Sequence, residues 1–274
     1  MSAAPQPGLS LNTATVREAW SLEQCIDGCA RHAIPGISPW RDKLHEMGVA
    51  RAAIAIRDAG LQVSGLCRGG MFPAADAADR LAAIEDNRRA IEEAHALGAR
   101  CLVMVCGGLP QGSRDLPGAR AMVRDGLAAI IEDARAAGVT IALEPLHPMT
   151  CADRSVLSTL GQALDLCDEI GPGMGVAVDV YHVWWDPQVE AQIARAGQRI
   201  AAFHTCDWLV PTTDLLLDRG MPGDGVIDIR GLREKAQAAG FDGLLEMEIL
   251  STAWWQRDPD EVLALCKERH AAFC

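Results

Sequence analysis

Short apolar runs rich in β-branched residues alternate with longer stretches of helical period along the whole chain. Because a parallel strand needs a crossover of a dozen or more residues before the next one, this alternation predicts parallel strands joined by helices. Strand-like runs occupy residues 9–13, 34–39, 61–66, 101–106, 140–144, 174–180, 200–206 and 244–249. Eight such units predict a sheet that closes into a barrel.

The helical stretches fit the same plan. They occupy residues 21–30, 49–59, 75–97, 119–137, 156–170, 189–196, 229–239 and 259–271. Several end at a glycine, such as Gly60, Gly138 and Gly240, where a positive φ stops the helix before the next strand. The expected fold class is therefore α/β, a single (β/α)8 TIM barrel over residues 1–274. An open doubly wound sheet is the alternative, but no glycine-rich nucleotide motif opens a helix.

The charge and hydropathy of the chain narrow its expected partners. A formal net charge of -12 argues against binding a phosphate backbone, which depends on Lys and Arg, so no nucleic acid partner is expected. No apolar run approaches the roughly 20 residues that cross a bilayer, so no membrane partner is expected. The start, MSAAPQPGLS, lacks the basic and apolar regions of an export signal, which predicts a cytoplasmic location.

The ten cysteines are scattered along the chain. Cys101, Cys106 and Cys206 lie in apolar runs, Cys25 and Cys29 form a CxxxC pair, and no CxxC motif occurs. In a chain of this size without an export signal, these residues are expected to be buried thiols. A disulfide or cysteine-zinc framework is the alternative.

Four polar residues stand at the ends of otherwise apolar strand-like runs. They are Glu144 in TIALEPLH, Asp179 in MGVAVDVYH, His204 in IAAFHTCD and Glu248 in LLEMEIL. Burying an unpaired carboxylate is costly unless a metal or a partner compensates it. Because the carboxyl ends of barrel strands meet at one face, these four are candidate ligands of one divalent metal ion. Three carboxylates and one imidazole suit Mn²⁺, Mg²⁺, Co²⁺ or Zn²⁺.

Two observations leave alternatives to this metal-site hypothesis. Any one of the four residues could instead pair with an arginine or cap a helix. Glu246 lies two residues from Glu248, so both point the same way from the strand. We favour Glu248, which is nearer the carboxyl end, as the ligand. Glu246 is then interpreted as paired deeper in the barrel or displaced by a bulge.

A further group of polar residues follows the same strands and is predicted to bind substrate. His147 and His182 each lie three residues after a candidate ligand, where they could hydrogen-bond a hydroxyl; surface-loop histidines are the alternative. Asp207 and Trp208 follow the seventh run, and the tryptophan could stack on a sugar, pack in the core or lie in a homo-oligomer interface. Arg219 offers a bidentate donor and opens the glycine-rich RGMPGDGVID, which could fold over a ligand or form a surface turn.

The motifs ALEPLH, VDVYH, FHTCDW, DRGMPGDGVID and the closing EME resemble the xylose-isomerase-like TIM-barrel superfamily, which includes the sugar phosphate isomerases and epimerases. The resemblance spans nearly the whole chain. It is closest in pattern to inosose isomerases, through the opening LSLNTAT, and to ketose 3-epimerases. It implies substrate binding by His182 and Arg219. It also implies that one divalent metal is bound by Glu144, Asp179, His204 and Glu248.

The chain departs from the ketose 3-epimerases at two points. These enzymes commonly carry HxH on the seventh strand, where Ala202 replaces the first histidine, and their EPLN reads EPLH here. The metal site fits the superfamily in spite of these changes, but the substrate is left open.

The function that the resemblance implies is a metal-dependent isomerase or epimerase in carbohydrate metabolism, acting on a small keto-sugar or an inosose-like keto-polyol. A metal-stabilised enediolate would form, with Glu144 and Glu248 as base and acid on the two substrate faces. The alternative is a lyase or dehydratase, of the keto-inositol dehydratase or C-glycoside-cleaving subunit type. An AP endonuclease is disfavoured by the acidic charge, and a carbohydrate-binding subunit without catalysis is also less favoured.

Overall fold

The computed structural model describes residues 6–274. Residues 1–5 lie outside the described residues. They belong to the expected domain span and to the segment in which no export signal was predicted. The strands in chain order are β1 Leu9–Asn12, β2 Gly36–Ser38, β3 Gln62–Val63, β4 Leu66–Gly70, β5 Cys101–Val105, β6 Thr140–Leu143, β7 Met174–Asp179, β8 Ile200–Thr205, β9 Asp207–Trp208, β10 Arg219–Gly220 and β11 Leu245–Met247.

All of these strands except β9 and β10 form one parallel sheet, in the order β3-β2-β1-β11-β8-β7-β6-β5-β4. Strands β3 and β4 stand at the two ends of that order, although only Ser64 and Gly65 separate them in the chain. The sheet therefore curls until its ends nearly meet, which confirms the expected α/β class and the (β/α)8 TIM barrel.

The third strand of the barrel differs from its prediction. The run expected at 61–66 is split into β3 and β4, and β4 extends to Gly70. Its sequence, LCRGG, contains arginine and glycine in place of the apolar β-branched residues that mark the other strands. The pairing of β4 with β5 also shifts register between Cys67 and Gly69. Local composition therefore gave no sign of this strand's true end.

The helices cover the outside of the barrel. They are α1 Leu22–Arg31, α2 Arg41–Met47, α3 Val49–Asp58, α4 Ala77–Leu97, α5 Leu116–Ala137, α6 Leu160–Ile170, α7 Val180–Val183, α8 Val189–Ala196, α9 Ile229–Ala239 and α10 Pro259–Phe273. Helices α2 and α7 were not predicted. Helix α6 begins later than the expected residue 156, because the Thr159 side chain accepts from Gln162 N and caps it there. In the part of the chain that the structure describes, none of these helices has the length and apolarity to span a bilayer.

Two apolar clusters fill the molecule, and residues alternate between them along β5, β6 and β7. In β5, Leu102 and Met104 join the large cluster beneath the helices, whereas Cys101 and Val103 join a small cluster with residues of neighbouring strands. This alternation places the small cluster inside the barrel. Its other members are mostly alanines, namely Ala142, Ala177, Ala201 and Ala202, together with Cys67. These short side chains leave room for larger polar groups at the carboxyl ends of the strands.

The cysteines match the expectation of free thiols. All ten lie in the described part of the chain, none forms a disulfide, and all but the half-buried Cys151 are buried. The disulfide alternative is therefore wrong.

Candidate metal centre

The four candidate ligands lie at the carboxyl ends of four adjacent strands. Glu144 directly follows β6, Asp179 ends β7, His204 is in β8, and Glu248 directly follows β11. All four are buried, and one potential ligand atom from each lies within 4.8 Å of the others. The fold thus brings together the set that was chosen from the sequence, in a group that could hold a metal ion.

The His204 ring lies at the centre of this group. Its Nδ1 is 3.0 Å from Glu144 Oε1 and 3.7 Å from Glu248 Oε2. Despite these distances, neither His204 Nδ1 nor Glu144 Oε1 has a partner in hydrogen-bond geometry among the described residues. Buried polar atoms are nearly always hydrogen-bonded. Nitrogen and oxygen atoms that converge without such bonds are suitable ligands for a divalent metal ion.

The charges of the group point to a cation. Burial raises the pKa of Glu144, and neighbouring carboxylates add to the rise although His204 opposes it. Burial alone would lower the pKa of His204, but Glu246 and Glu144 raise it well above its usual range. Carboxylates that share a buried site repel one another, and a divalent ion relieves that repulsion.

Glu246, the rival of Glu248, occupies a deeper position. It is fully buried, it is the strand partner of His204, and its Oε2 lies 3.2 Å from His204 Nε2. Asn12 Nδ2 donates to Glu246 Oε2 over 3.3 Å and to Glu248 Oε1 over 3.0 Å. Glu246 is therefore paired with Asn12 and His204 deeper in the barrel, which was one of the two interpretations from the sequence. A carboxylate in this position orients the ring of a metal-binding histidine.

A small cavity opens beside the cluster. Its lining residues are Trp40, Cys67, Arg68, Val105, Glu144, Leu146, Arg154, His182, Leu216, Arg219, Glu248 and Leu250. Its volume is about 30 Å³, which holds about one or two water molecules. A larger pocket of about 510 Å³ lies near the amino ends of the strands, beside Gln62 and Leu244. We assign function to the smaller cavity because active sites of these barrels lie at the carboxyl ends.

Arg219 reaches into the cluster from β10. Its Nη1 donates to Asp179 Oδ2 and to Glu248 Oε2, both over 2.9 Å. Its guanidinium also lies over the Tyr181 ring, 4.5 Å from the centroid. The residue predicted to bind substrate thus lines the cavity and contacts two candidate ligands at once.

His182 and His147 take different positions. His182 is buried and lines the cavity, and its Nδ1 accepts the backbone N–H of His147 over 3.1 Å. Burial lowers the pKa of His182 to about 3, although Asp179 opposes the shift. The ring is therefore neutral with its proton on Nε2. The His147 ring instead stacks on Trp208, 4.9 Å between centroids, outside the cavity lining.

Asp207 and Trp208 make contacts within the protein. The Asp207 carboxylate accepts backbone N–H groups of Trp208, Gly223 and Ile227 over 2.9 to 3.0 Å. These bonds fix the glycine-rich turn that follows β10. Neither Asp207 nor Trp208 belongs to the cavity lining, so a substrate contact for either one, as for His147, stays a prediction.

Three polar residues near the cluster were not predicted from the sequence: Asn12, Arg68 and Arg154. Asn12 ends β1, and Arg68 interrupts the apolar residues of β4, so each was a polar residue in a strand. That signal had identified the four candidate ligands and could have identified these two. Arg154 lies in a turn, outside any strand or helix, so its polar side chain does not stand out from the local sequence.

Comparison with known proteins identifies the family. The family model described as xylose isomerase-like TIM barrel matches residues 26–267. No curated protein matches the chain.

Solved structures agree with this family. Protein SMc04130 from Sinorhizobium meliloti 1021 is 56% identical, with a TM-score of 0.96 over 97% of this chain and 98% of that one. The IOLI protein with a bound zinc atom is 19% identical, with a TM-score of 0.84 over 97% of each chain. A D-psicose 3-epimerase crystallised with D-fructose is 17% identical, with a TM-score of 0.78 over 97% of each chain. At such low identity the last two show a shared fold. The chain therefore belongs to the xylose isomerase-like TIM barrel family.

Proposed function

We propose that this protein is a divalent-metal-dependent isomerase or epimerase of a small keto-sugar or keto-polyol. One observation carries the proposal: four side chains from adjacent strands offer ligand atoms within 4.8 Å of one another, beside a cavity. The family supports it, since the IOLI protein with zinc and the D-psicose 3-epimerase share the fold. The ion, which is Mn²⁺, Mg²⁺, Co²⁺ or Zn²⁺, would be held by Glu144, Asp179, His204 and Glu248.

The bound metal would supply Lewis-acid polarisation of a substrate carbonyl. Glu144 and Glu248 are the two candidate ligands that also line the cavity. They follow β6 and β11, the outer two of the four adjacent strands that carry the cluster. Moving a proton from one face of a carbon atom to the other requires a base and an acid on opposite sides. We therefore assign these two roles to Glu144 and Glu248.

Two other residues would orient the substrate. His182 Nδ1 is already bonded to the backbone, and its Nε2 lies 3.1 Å from Arg219 Nη2. Once Arg219 moves aside, the Nε2–H of His182 would donate to a substrate oxygen in the cavity. Leu146 and Leu250 form an apolar wall that excludes water from the reacting carbon. A sugar is larger than this cavity of about 30 Å³, so part of the lining would have to move before it enters.

The test is solvent-deuterium exchange followed by NMR. The Mn²⁺-loaded protein is incubated in D₂O with a panel of a keto-inositol, D-fructose and 5-keto-D-gluconate. We expect deuterium to enter beside the carbonyl of at least one compound, and EDTA to stop the exchange. The variant E248Q should lose the exchange while it stays folded. The variant E268Q, which changes an exposed carboxylate of α10, should keep it.

Three outcomes would count against the proposal. Absence of exchange with every compound would contradict an isomerase or epimerase. Exchange accompanied by loss of water would identify a lyase or dehydratase instead. Undiminished exchange in E248Q would exclude Glu248 as the acid or base.

A further inference from the structure

Two arginine side chains line the cavity. Arg68 belongs to β4, Arg154 lies between β6 and α6, and both side chains are half-buried. Within residues 6–274, neither guanidinium has an ion pair within 4.0 Å or a side-chain hydrogen bond. By contrast, Arg41, at the amino end of α2, is paired with Asp86 and Glu93. The cavity therefore contains cationic groups that the protein itself does not neutralise.

The neighbouring carboxylates make their ion pairs with other side chains. Asp179 and Glu248 already accept from Arg219, and Glu144 faces His204. Burial lowers the pKa of Arg68, and the nearby charge of Arg154 adds to the effect although Glu144 opposes it. Two partly desolvated cations that repel each other are costly unless an anion lies between or beside them.

We propose that Arg68 and Arg154 bind an oxyanion carried by the substrate, so that the substrate is an acidic keto-polyol. This inference rests on the proposed function of the same site. The carbonyl end would lie at the metal cluster, and a carboxylate or phosphate at the two guanidinium groups. A guanidinium binds either anion through two parallel N–H donors, which gives both affinity and orientation. A neutral sugar would leave both charges without a partner.

Binding to the Mn²⁺-loaded protein by isothermal titration calorimetry tests the proposal. The probes are D-fructose, 5-keto-D-gluconate and D-fructose 6-phosphate, which share six carbons and a keto group but differ in charge. We expect at least one anionic probe to bind about tenfold or more tightly than D-fructose, because bonds between ions are the strong ones. Whichever of the two anionic probes binds more tightly shows whether the site prefers a carboxylate or a phosphate.

The variants assign that preference to the two arginines. The double variant R68Q/R154Q should lose most of the preference for the anionic probes over D-fructose. The variant R114Q removes an exposed arginine on the connection between β5 and α5, and it should keep the full preference. The double variant R68K/R154K retains the positive charges without the planar guanidinium groups, and it should keep only part of the preference for the anionic probes. Thermal unfolding of each variant checks that it is folded. If R68Q/R154Q does not fold, R68K/R154K is used for the comparison instead.

Equal affinity of the wild type for all three probes would overturn the inference. So would a full preference for the anions in the double variant. Because binding is measured, this result is independent of the deuterium test. Anion preference without exchange would contradict only the proposed reaction, and exchange without anion preference would contradict only this inference.

Discussion

Arg219 Nη1 lies 2.9 Å from Glu248 Oε2, within the group of candidate metal ligands. The same nitrogen lies 2.9 Å from Asp179 Oδ2, so one guanidinium neutralises two carboxylates that a metal ion would also neutralise. Arg219 should therefore stabilise the metal-free protein. We expect R219Q to lower the unfolding temperature after EDTA treatment, because removing one partner of a buried ion pair costs about 3–5 kcal/mol.

Metal should rescue this variant. Adding Mn²⁺ is expected to raise the unfolding temperature of R219Q by more than that of the wild type, since the ion replaces the missing positive charge. The variant R124Q, which breaks the exposed pair with Asp125, is the control and should unfold near the wild-type temperature. An R219Q protein as stable as the wild type without metal would contradict this account of Arg219.

Glu246 should tune metal affinity without being a ligand. Its carboxylate contacts His204 Nε2, the ring nitrogen on the side away from Glu144. We expect E246Q to weaken Mn²⁺ binding by about 10- to 100-fold, as is usual when the partner of a metal-binding histidine is changed. E248Q should weaken it further, because a ligand is lost. Calorimetric titration with Mn²⁺ measures both, and equal loss in E246Q and E248Q would show that the two roles are not distinct.

Gly70 at the end of β4 should tolerate no side chain. Its φ is +113°, and an added Cβ would lie 1.9 Å from the Val105 carbonyl oxygen. Gly48 also has a positive φ, +87°, but nothing lies within 4 Å of its added Cβ. We expect G48A to lose about 1–3 kcal/mol through backbone strain alone, and G70A to lose more than about 4 kcal/mol. Urea unfolding of the two variants is the measurement. Similar losses would show that the β4 backbone can move away.

Thiol reactivity should follow burial. Burial raises the pKa of Cys25, Cys101 and Cys106 to about 12, so at pH 8 these buried groups carry no thiolate to attack a reagent. Cys151 is the one half-buried cysteine. We expect iodoacetamide at pH 8 to label the native protein once, at Cys151, and the urea-unfolded protein at all ten positions. Peptide mass spectrometry measures this, and rapid native labelling of Cys101 would contradict the described packing of the barrel interior.

The barrel and the core of the site could be predicted from sequence for one physical reason. In a closed parallel sheet, the carboxyl ends of successive strands meet, so a polar residue that ends each apolar run is brought next to the others. Glu144, Asp179 and His204 each stand at the end of such a run. Glu248 required a choice against Glu246, and the strand register places Glu246 deeper, beside His204.

The remaining parts depend on contacts that no local pattern records. Arg154 lies in irregular chain, and only the fold brings it to the cavity beside Arg68. Asp207 has the residue type of a substrate contact, yet its oxygens accept backbone N–H groups from a turn up to 20 residues away. Whether a polar residue of a loop faces a ligand or the backbone is decided by such tertiary contacts.

The location of a bound metal ion shows directly whether the four buried side chains form a metal centre. Crystals soaked in Mn²⁺ and measured at the manganese absorption edge would give anomalous difference density at the ion. One strong peak is expected per chain, roughly 2.0–2.3 Å from one atom of each ligand. Those ligands are Glu144, Asp179, His204 and Glu248. A fully soaked crystal without a peak in this cluster, or with its strongest peak on other side chains, would contradict the account.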